Sequence, residues 1–377
     1  MKITEIKTAE VQIKVDKKPT YTYHYVRIYT DEGVYGTGEA SHVDGGWKGS
    51  TQTMARQLIG KDPRDVDACF EGIRRSYIFR GGMAGLGISA LTGLEIALWD
   101  LAGKAQGVPI YRLLGGKFRD TVRLYVDSAM TNCRERAEEA RSKGFTAIKF
   151  DLDDAHNPHK LDAWNWSVTP KELESMVEQA FNIREAVGPD MDLAIDLHGR
   201  YDATAGMKLA LELEDLNLMW LEEPVPPENI QAMANITQAT RTPICAGENA
   251  YLRYGFREII ENQAVDIIMP DISKCGGLSE CRKIANMAET YYIPFAPHNN
   301  SSALSTIGDA HVCASVPNFL ALEFHRFHDP TWEHVIESNH DVIQNGHVQL
   351  TEDPGLGVEL NEPYLKTMLE KDEPLWQ

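Results

Sequence analysis

Three acidic residues recur at even spacing in the second half of the chain, and each closes a short apolar run: Asp196, Glu222 and Glu248. If these runs are neighbouring parallel strands, their carboxyl ends meet at one edge of the sheet and the three carboxylates converge. Carboxylate oxygens are hard ligands that suit Mg²⁺. A single acidic residue at such a position is more simply explained by the positive end of a helix dipole. Three acidic residues in register predict a magnesium site.

A histidine and two further acidic residues close the runs that follow. Asp271 and His298 end consecutive runs, so their side chains are expected to be neighbours. A carboxylate beside an imidazole orients the ring and raises its pKa, which suits a general base, although a rim histidine held for stability has the same neighbours. Glu323 ends the last run and is expected opposite the metal. There it either stays protonated and donates a hydrogen bond or forms a salt bridge.

Two more polar side chains are predicted on the same side of their strands. His198 lies two residues after Asp196, and side-chain direction repeats every two residues along a strand, so a second imidazole is expected near the metal. Lys149 ends another run together with Asp151, where it offsets carboxylate charge or simply forms a strand-end pair. The sequence therefore offers one candidate base, His298, and one candidate acid, His198.

The elements that position these residues are short apolar runs separated by helical stretches. Eight runs follow one another: Val122–Asp127, Ala147–Asp151, Leu193–His198, Met219–Glu222, Ile244–Glu248, Ile267–Asp271, Phe295–His298 and Leu320–Glu323. This rhythm predicts a parallel (β/α) barrel, with its chemistry at the carboxyl ends of the strands. The alternative, an open doubly wound sheet, requires a glycine-rich phosphate turn after its first strand, and residues 125–133 contain no glycine.

The N-terminal third has a different pattern. It alternates like an antiparallel sheet and then continues with helical periodicity, over Ile3–Ile13, Tyr25–Thr30, Val34–Glu39, Thr51–Leu58, Arg64–Ile78 and Ile88–Gln106. We therefore predict an α+β domain over residues 1–119 and the barrel over residues 120–340. The C-terminal segment, residues 341–377, is expected to form a short sheet-like piece over Val342–Leu350 and to return to the first domain.

The composition limits the classes of partner. The formal net charge of −19 argues against nucleic acid and anionic membranes, because phosphate binding relies on clustered Lys and Arg. A small anionic substrate stays compatible, since a bound cation reverses the local field. No apolar run approaches the roughly 18 residues of a membrane helix. The N-terminus has the pattern of a strand and not of a signal peptide, and the 6 cysteines are scattered, so we predict a cytoplasmic protein with reduced thiols.

Taken together, these residues resemble the enolase superfamily in its mandelate racemase-like subgroup. The resemblance rests on Ala97-Leu98-Trp99-Asp100, Gly115-Gly116, Trp220-Leu221-Glu222-Glu223-Pro224, Ala246-Gly247-Glu248, Pro270-Asp271 and His298-Asn299. It implies an α/β fold, a (β/α)7β TIM-like barrel with an N-terminal α+β capping domain. It also implies Mg²⁺ on the three evenly spaced carboxylates, a His298–Asp271 dyad and Glu323 as the electrophilic carboxyl. Capping-domain loops around Lys17–Tyr25 and His42–Gly49 are implied to select the substrate.

The chain departs from the racemase pattern at one position. Racemases of this subgroup carry a Lys-x-Lys motif whose second lysine is another base, whereas this chain has Lys149-Phe150-Asp151. The stretch Asp196-Leu197-His198-Gly199 resembles the gluconate and galactonate dehydratases, in which that histidine expels the 3-hydroxyl. The resemblance thus implies a Mg²⁺-dependent acid sugar dehydratase, a hydro-lyase. Mg²⁺ and Lys149 neutralise the substrate carboxylate, His298 removes the C2 proton, and His198 protonates the leaving hydroxyl to give a 2-keto-3-deoxy acid.

Two other functions stay open. A cycloisomerase or epimerase acting on a related sugar acid or its lactone uses the same metal and His298, but does not need His198 to expel water. A binding protein that kept the barrel has no need of a base oriented by a carboxylate. We expect a small-molecule sugar acid substrate and a homo-oligomer, from dimer to octamer. The long segment Asp153–Thr169 is expected over the barrel mouth or in an oligomer interface, because leaving both Trp164 and Trp166 in water is unfavourable.

Overall fold

A computed structural model describes residues 1–15, 18–152, 157–161, 164–369 and 374–377. The N-terminal part begins with a three-stranded antiparallel sheet of β1 (Ile3–Val15), β2 (Lys18–Thr30) and β3 (Tyr35–Glu39), paired in that order. In β1, Ala9, Val11 and Ile13 are buried, whereas the residues between them are exposed. This alternation gives the sheet one face that packs on the rest of the molecule.

Strand β2 begins earlier than the sequence predicted. The expected substrate loop Lys17–Tyr25 is strand from Lys18 onward and pairs with β1 as far as Lys18 opposite Val15, while Lys17 lies outside the described residues. Tyr21, Tyr23 and Tyr25 recur at every second position, and aromatic residues at this period favour a pleated strand over a loop. The second predicted loop, His42–Gly49, is a bend that leads into the first helix.

Four helices complete the capping domain: α1 (Trp47–Ala55), α2 (Val66–Tyr77), α3 (Leu86–Gln106) and the short α4 (Ile110–Leu113). Helix α3 packs against β3 at backbone distance. A Cβ added to Gly36 would lie 2.2 Å from the Ala97 carbonyl oxygen, and one added to Gly38 would lie 2.3 Å from that of Gly93. The glycines of β3 therefore permit the close contact of sheet and helix.

Helix α3 is also the one helix of the described residues that is long and apolar enough to cross a membrane, with 21 residues and a mean hydropathy of 1.3 in its most apolar window. Helical periodicity was predicted for Ile88–Gln106, but its apolar residues are interrupted by Glu95, Asp100 and Lys104 and so form no continuous apolar run of that length. Since 83 % of this window is buried inside the protein, α3 has the character of a core helix.

The barrel consists of parallel strands that alternate with helices. Its assigned strands are β4 (Thr121–Ser128), β5 (Ala147–Asp151), β6 (Asp192–Asp196), β7 (Trp220–Glu222), β8 (Ile244–Ala246), β9 (Ile267–Ile268) and β10 (Leu322–Phe324). The helices between them are α5 (Cys133–Ser142), α6 (Pro170–Val187), α7 (Ala203–Glu212), α8 (Ile230–Ala239), α9 (Leu252–Glu261), α10 (Leu278–Glu289) and α11 (Ala303–Ser315). Strand β10 pairs with β4 and closes the ring.

The seventh barrel position is held by isolated bridges and not by a regular strand. Phe295 bridges to Ile268 on one side and to Phe319 on the other, and His298 bridges to Asp271. With this position the described residues form a ring of eight strand sites and seven intervening helices, so the predicted (β/α)7β barrel with an N-terminal capping domain is confirmed. Several predicted strands are shorter than expected, because their last residues already turn into the loops that line the barrel mouth.

The C-terminal segment attaches to both parts of the molecule. Strands β12 (Ile343–Gln344) and β13 (His347–Gln349) form a hairpin, and β13 pairs antiparallel with β4. The predicted sheet-like piece therefore extends the barrel sheet. Further on, β14 (Glu359–Leu360) pairs with β11 (Ile336–Glu337), α12 (Glu362–Lys366) follows, and Gln377 makes backbone hydrogen bonds with Thr8 of the capping sheet.

Candidate active site

Lys149 lies at the centre of a cluster of buried carboxylates at the carboxyl ends of the barrel strands. Its Nζ is 3.1 Å from Asp196 Oδ2, 3.1 Å from Glu222 Oε2 and 2.7 Å from Glu323 Oε1. All four side chains are buried. They meet because the parallel register places Asp196 directly opposite Glu222, and because β5, which carries Lys149, pairs with β6. The structure thus brings together four of the predicted site residues.

The carboxylates of this cluster oppose one another's ionisation. Burial raises the pKa of Glu222 well above its usual range, and Asp196 raises it further, while Lys149 acts against both. At Asp196 burial also raises the pKa, but Lys149 and His198 more than offset it, so its pKa lies below the usual range. Buried carboxylates that repel one another form an environment that a divalent cation stabilises, so their chemistry fits the predicted metal.

Glu248, the third predicted ligand, lies two residues beyond β8 and nearer to solvent. Its Oε2 is 3.4 Å from His298 Nε2, and it is close enough to raise the pKa of Glu222. Among the described residues, the groups of three whose ligand atoms lie within 4.8 Å of one another are His42–Asp271–His298, His298–Glu323–His325 and Asp151–Asp196–His198. The predicted trio is not such a group, and Lys149 Nζ contacts two of its members, Asp196 and Glu222. The three-carboxylate metal site stays a prediction.

His298 and Asp271 form the predicted pair. The Nδ1 of His298 is 2.8 Å from Asp271 Oδ2, and both residues are buried. The capping domain also reaches this carboxylate: His42 Nε2 lies 3.2 Å from the same oxygen, and Ser41 Oγ donates to Oδ1 at 3.4 Å. Burial raises the pKa of Asp271, but the hydrogen bonds of His298 and His42 outweigh it and hold the pKa well below its usual range. An ionised Asp271 fixes the orientation of the ring.

The other nitrogen of His298 points toward acidic groups. Its Nε2 lies 3.4 Å from Glu248 Oε2 and 3.7 Å from Glu323 Oε2. Burial lowers the pKa of His298, but Glu248 and Glu323 outweigh it and, with Asp271, raise the pKa to about 10. A general base must be unprotonated before it acts. A cation bound to Glu248 would lower this pKa, which links the base to the metal site.

His198 reaches the site by a turn and not by strand alternation. Strand β6 ends at Asp196, and His198 has a left-handed backbone with φ 49°. The predicted alternation of side chains along a strand is therefore the wrong reason for the position of His198, although its side chain lies near Asp196 as expected. Its backbone N–H donates to Asp196 Oδ1 at 2.8 Å, and its Nε2 lies 3.6 Å from Asp196 Oδ2. The imidazole side chain is 33 % exposed, so it can reach a ligand in the mouth.

Glu323 is surrounded by donors. Besides Lys149, the backbone N–H of Asn299 donates to its Oε2 at 3.1 Å, and His325 Nε2 lies 3.2 Å from its Oε1. Burial raises the pKa of Glu323, but Lys149, His298 and His325 outweigh it and hold the pKa well below its usual range. This environment therefore favours the ionised form of Glu323 over the protonated form. The structure shows the other predicted arrangement, a salt bridge with Lys149.

Sequence reasoning missed four residues of the mouth: His42, Asp127, Glu223 and His325. His325 Nδ1 lies 3.1 Å from Asp127 Oδ2, which pairs an imidazole on the eighth strand position with a carboxylate of β4. Asn249 Nδ2 donates to Glu223 Oε2 at 2.9 Å, and burial together with Glu248 and Asp196 raises the pKa of Glu223 to about 8. His325 had a usable signal, since it follows Glu323 by two residues as His198 follows Asp196.

The segment Asp153–Thr169 is anchored beside the mouth only in part. Of its residues, 153–156 and 162–163 lie outside the described residues. The Trp166 carbonyl accepts from the Asp202 N–H at 2.9 Å, at the start of α7. In the single chain Trp164 is 88 % and Trp166 is 51 % exposed. The expectation that substrate or an oligomer partner covers these indoles stays a prediction.

Two family models match the chain. Residues 2–115 match the mandelate racemase / muconate lactonizing enzyme N-terminal domain, and residues 132–364 match the enolase C-terminal domain-like family. The two matched regions correspond to the capping domain and to most of the barrel.

Individual proteins are similar over almost their whole length. The chain is 42 % identical to a D-xylonate dehydratase of Haloferax volcanii, over 99 % of this chain and 90 % of that protein. It is 32 % identical to a D-galactonate dehydratase of Pectobacterium atrosepticum, over 97 % of this chain and 96 % of that protein. Among solved structures, a mandelate racemase/muconate lactonizing enzyme-like protein from Rubrobacter xylanophilus superimposes with a TM-score of 0.94 at 44 % identity, covering 100 % of this chain and 99 % of that one.

Proposed function

The chain belongs to the mandelate racemase / muconate lactonizing enzyme family, and from this premise we propose that it is a metal-dependent acid sugar dehydratase, a hydro-lyase. One observation carries the proposal: two imidazoles, His298 and His198, stand at separate places around the Lys149 cluster, each beside a different carboxylate. Dehydration requires a base at C2 and an acid at the 3-hydroxyl. The substrate is an aldonate of the kind named for the relatives, D-xylonate or D-galactonate.

The metal is Mg²⁺, held by Asp196, Glu222 and Glu248. Hard carboxylate oxygens with space for substrate oxygens suit this ion better than the softer metals that prefer imidazole or thiolate. When bound, the cation supplies positive charge that stabilises the enediolate formed on the substrate.

The chain's own residues perform the proton transfers. Lys149 Nζ pairs with the substrate carboxylate, which adds to the acidity of the C2 hydrogen. His298 Nε2 takes that hydrogen as a proton, while Asp271 keeps the ring oriented through Nδ1. His198 then gives a proton to the 3-hydroxyl, so the C3–O bond breaks and water leaves. The resulting enol tautomerises to a 2-keto-3-deoxy acid, and the two histidines regain their starting protonation by exchange with solvent.

The function is tested with purified protein, Mg²⁺ and a panel of D-xylonate, D-galactonate, D-gluconate and the corresponding aldarates. We expect a 2-keto-3-deoxy acid from at least one aldonate, no product after exhaustive chelation, and recovery when Mg²⁺ is returned. Full turnover after chelation would contradict the metal requirement. Conversion of a sugar acid or lactone without loss of water would instead show a cycloisomerase or epimerase.

We also propose how the chain is organised and where it acts. Residues 1–119 form the capping domain, residues 120–340 the barrel and residues 341–377 a segment that returns to the capping domain. The protein is a cytoplasmic homo-oligomer that binds a small sugar acid and neither nucleic acid nor membrane. Support comes from its cysteines, which are all free thiols, and from the exposed Trp164 and Trp166. Light scattering of the purified protein measures the number of subunits, and a monomer would contradict the oligomer.

A further inference from the structure

A second imidazole–carboxylate pair lies across Glu323 from the His298–Asp271 pair. His325 Nδ1 is 3.1 Å from Asp127 Oδ2, and His325 Nε2 is 3.2 Å from Glu323 Oε1. The pairing of β10 with β4 creates this arrangement, because it places Glu323 opposite Tyr125 and so brings the ends of the two strands together. The rings of His298 and His325 lie 5.6 Å apart, one on each side of Glu323.

Because His325 lies between the carboxylates of Asp127 and Glu323, its position limits how many protons these three groups can carry. A neutral imidazole has one N–H and one nitrogen with a lone pair. If His325 were neutral and Glu323 ionised, the ring would direct its lone pair at a carboxylate oxygen, either that of Asp127 or that of Glu323. This repulsion is avoided if the three groups hold one further proton, on the second ring nitrogen, on Glu323 or on Asp127.

That proton is not locked in place. Glu323 Oε1 and His325 Nε2 are both buried, and neither has an aligned hydrogen-bond partner among the described residues, although they lie within ion-pair distance of each other. Oε1 also faces Lys149 Nζ at 2.7 Å. While Lys149 stays there, the ionised form of Glu323 is favoured. When a substrate carboxylate draws Lys149 away and brings its own negative charge, the protonated form of Glu323 becomes the favoured one.

We propose that His325, oriented by Asp127, is a positioning residue that stores a proton and passes it to Glu323 when the anionic substrate binds. The inference rests on the proposed dehydratase function. The proton moves from His325 Nε2 to Glu323 Oε1, and the ring becomes neutral while it keeps its Nδ1 hydrogen toward Asp127. Glu323 becomes a carboxylic acid without any change in net charge. In this form it donates a hydrogen bond to the substrate oxygen on which the enediolate charge develops.

His325→Gln is the decisive variant, because glutamine keeps a donor near the place of Nε2 but cannot carry the stored proton. We expect kcat to fall by about 10²-fold, the lower end for acid–base groups, with little change in KM. Exchange of the C2 hydrogen with D₂O falls in parallel, since formation of the enediolate is the affected step. The matched control is His328→Gln, three residues further along and outside the mouth, which should leave both rates at the wild-type level.

Asp127→Asn gives an independent measurement. It removes the carboxylate that orients His325, so the same two rates should fall, and the double variant should be no slower than His325→Gln because both act through one proton. Thermal unfolding of each variant shows whether it is folded. Wild-type kcat and exchange in a folded His325→Gln protein would overturn the proposal, as would a raised KM at unchanged kcat. An inactive wild-type protein would contradict the proposed function itself, so the two failures are distinguishable.

Discussion

The mouth of the barrel and the contact between α3 and the barrel both bury charged side chains, but they satisfy them differently. At the mouth most of the partners are side chains: Lys149 contacts Asp196, Glu222 and Glu323, and the backbone adds one N–H to Asp196 and one to Glu323. At the α3 contact, Glu95 accepts from the backbone N–H groups of Leu278 and Ser279, at 2.8 and 2.9 Å, where α10 begins.

Asp100, further along α3, also accepts from backbone N–H groups, in addition to an ion pair with Lys104 Nζ at 2.8 Å. Its Oδ2 accepts from the Thr37 N–H at 2.8 Å and its Oδ1 from the Leu356 N–H at 2.9 Å. Backbone donors have fixed positions, so they hold a carboxylate in one place. Glu95 thereby joins α3 to the barrel helix α10, and Asp100 joins α3 to β3 and to the C-terminal segment. Side-chain partners can rearrange when a cation or substrate arrives. Substitutions at the mouth should therefore reduce catalysis, whereas those at the α3 contact should reduce stability.

The largest effect is expected at the two histidines of the mouth. His298→Asn should lower turnover by about 10⁴-fold and abolish exchange of the C2 hydrogen with D₂O, because Asp151 stands where racemases have a second lysine base. His198→Asn should abolish dehydration yet keep metal-dependent C2 exchange, since the enediolate still forms and is reprotonated from the same face. Proton NMR of a reactive aldonate in D₂O measures both rates.

Each of these two variants serves as the control for the other. C2 exchange at the wild-type rate in His298→Asn would remove that residue as the base. Dehydration at full rate in His198→Asn would leave the fold and metal site unaffected and favour the cycloisomerase or epimerase function.

The second effect concerns the metal. Glu222→Gln should lower activity by about 10³-fold, because it removes a charged ligand and with it the stabilisation of developing negative charge. Calorimetric titration with Mg²⁺ should show much weaker binding. Glu212→Gln, an equal charge change on an exposed helix position, is the control and should bind Mg²⁺ normally. Unchanged Mg²⁺ affinity in Glu222→Gln would place the cation elsewhere.

The third effect is on stability, at the α3 contact. Glu95→Ala leaves the N–H groups of Leu278 and Ser279 without their acceptor and removes one of the two acceptors of Trp99 Nε1, the other being Ser279 Oγ. A cost of about 3 kcal/mol in the free energy of unfolding follows from about 1 kcal/mol for each lost partner. Urea denaturation measures it, and kcat of the folded variant should stay at the wild-type level. If Glu95→Ala instead lost activity without losing stability, the distinction between the two regions would fail.

The barrel, the capping domain and the strand-end residues were predictable because they depend on local patterns: apolar runs, alternation and spacing. Lys149, Asp196, Glu222 and Glu323 meet because parallel strands align their ends. The pairing of His325 with Asp127 was not predictable in this way, since it depends on how the last barrel strand closes against the first.

Other features escaped prediction for related reasons. The contact of His42 with Asp271 depends on how the capping domain docks, which no sequence spacing records. The left-handed backbone at His198 replaces the assumed strand alternation. Strand β13 pairs with the first residues of β4, Thr121–Arg123, which lie ahead of the stretch that pairs with β10, and the sequence does not reveal this pairing.

The smallest effect is the pH dependence of a buried histidine outside the mouth, His311 on α11. Its Nδ1 accepts from the Tyr111 N–H at 3.3 Å and its Nε2 lies 3.2 Å from the Leu356 carbonyl oxygen, so the ring is held neutral. Burial lowers its pKa from 6.5 to about 4, whereas the environment of the mouth raises that of His298. Between pH 6.5 and about 4, His311 binds a proton in the unfolded chain but not in the folded protein. The contribution of the neutral His311 to the free energy of unfolding is therefore fully present above pH 6.5 and is lost as the pH falls toward 4. The loss is at most about 3 kcal/mol.

His311→Gln keeps a donor toward Leu356 but cannot titrate. Its free energy of unfolding, measured in urea between pH 8 and 4, should therefore lie below that of the wild type at neutral pH and converge with it in acid. The exposed His334→Gln is the control and should follow the wild-type curve. Parallel curves for His311→Gln and the wild type would show that His311 is not held neutral by its surroundings.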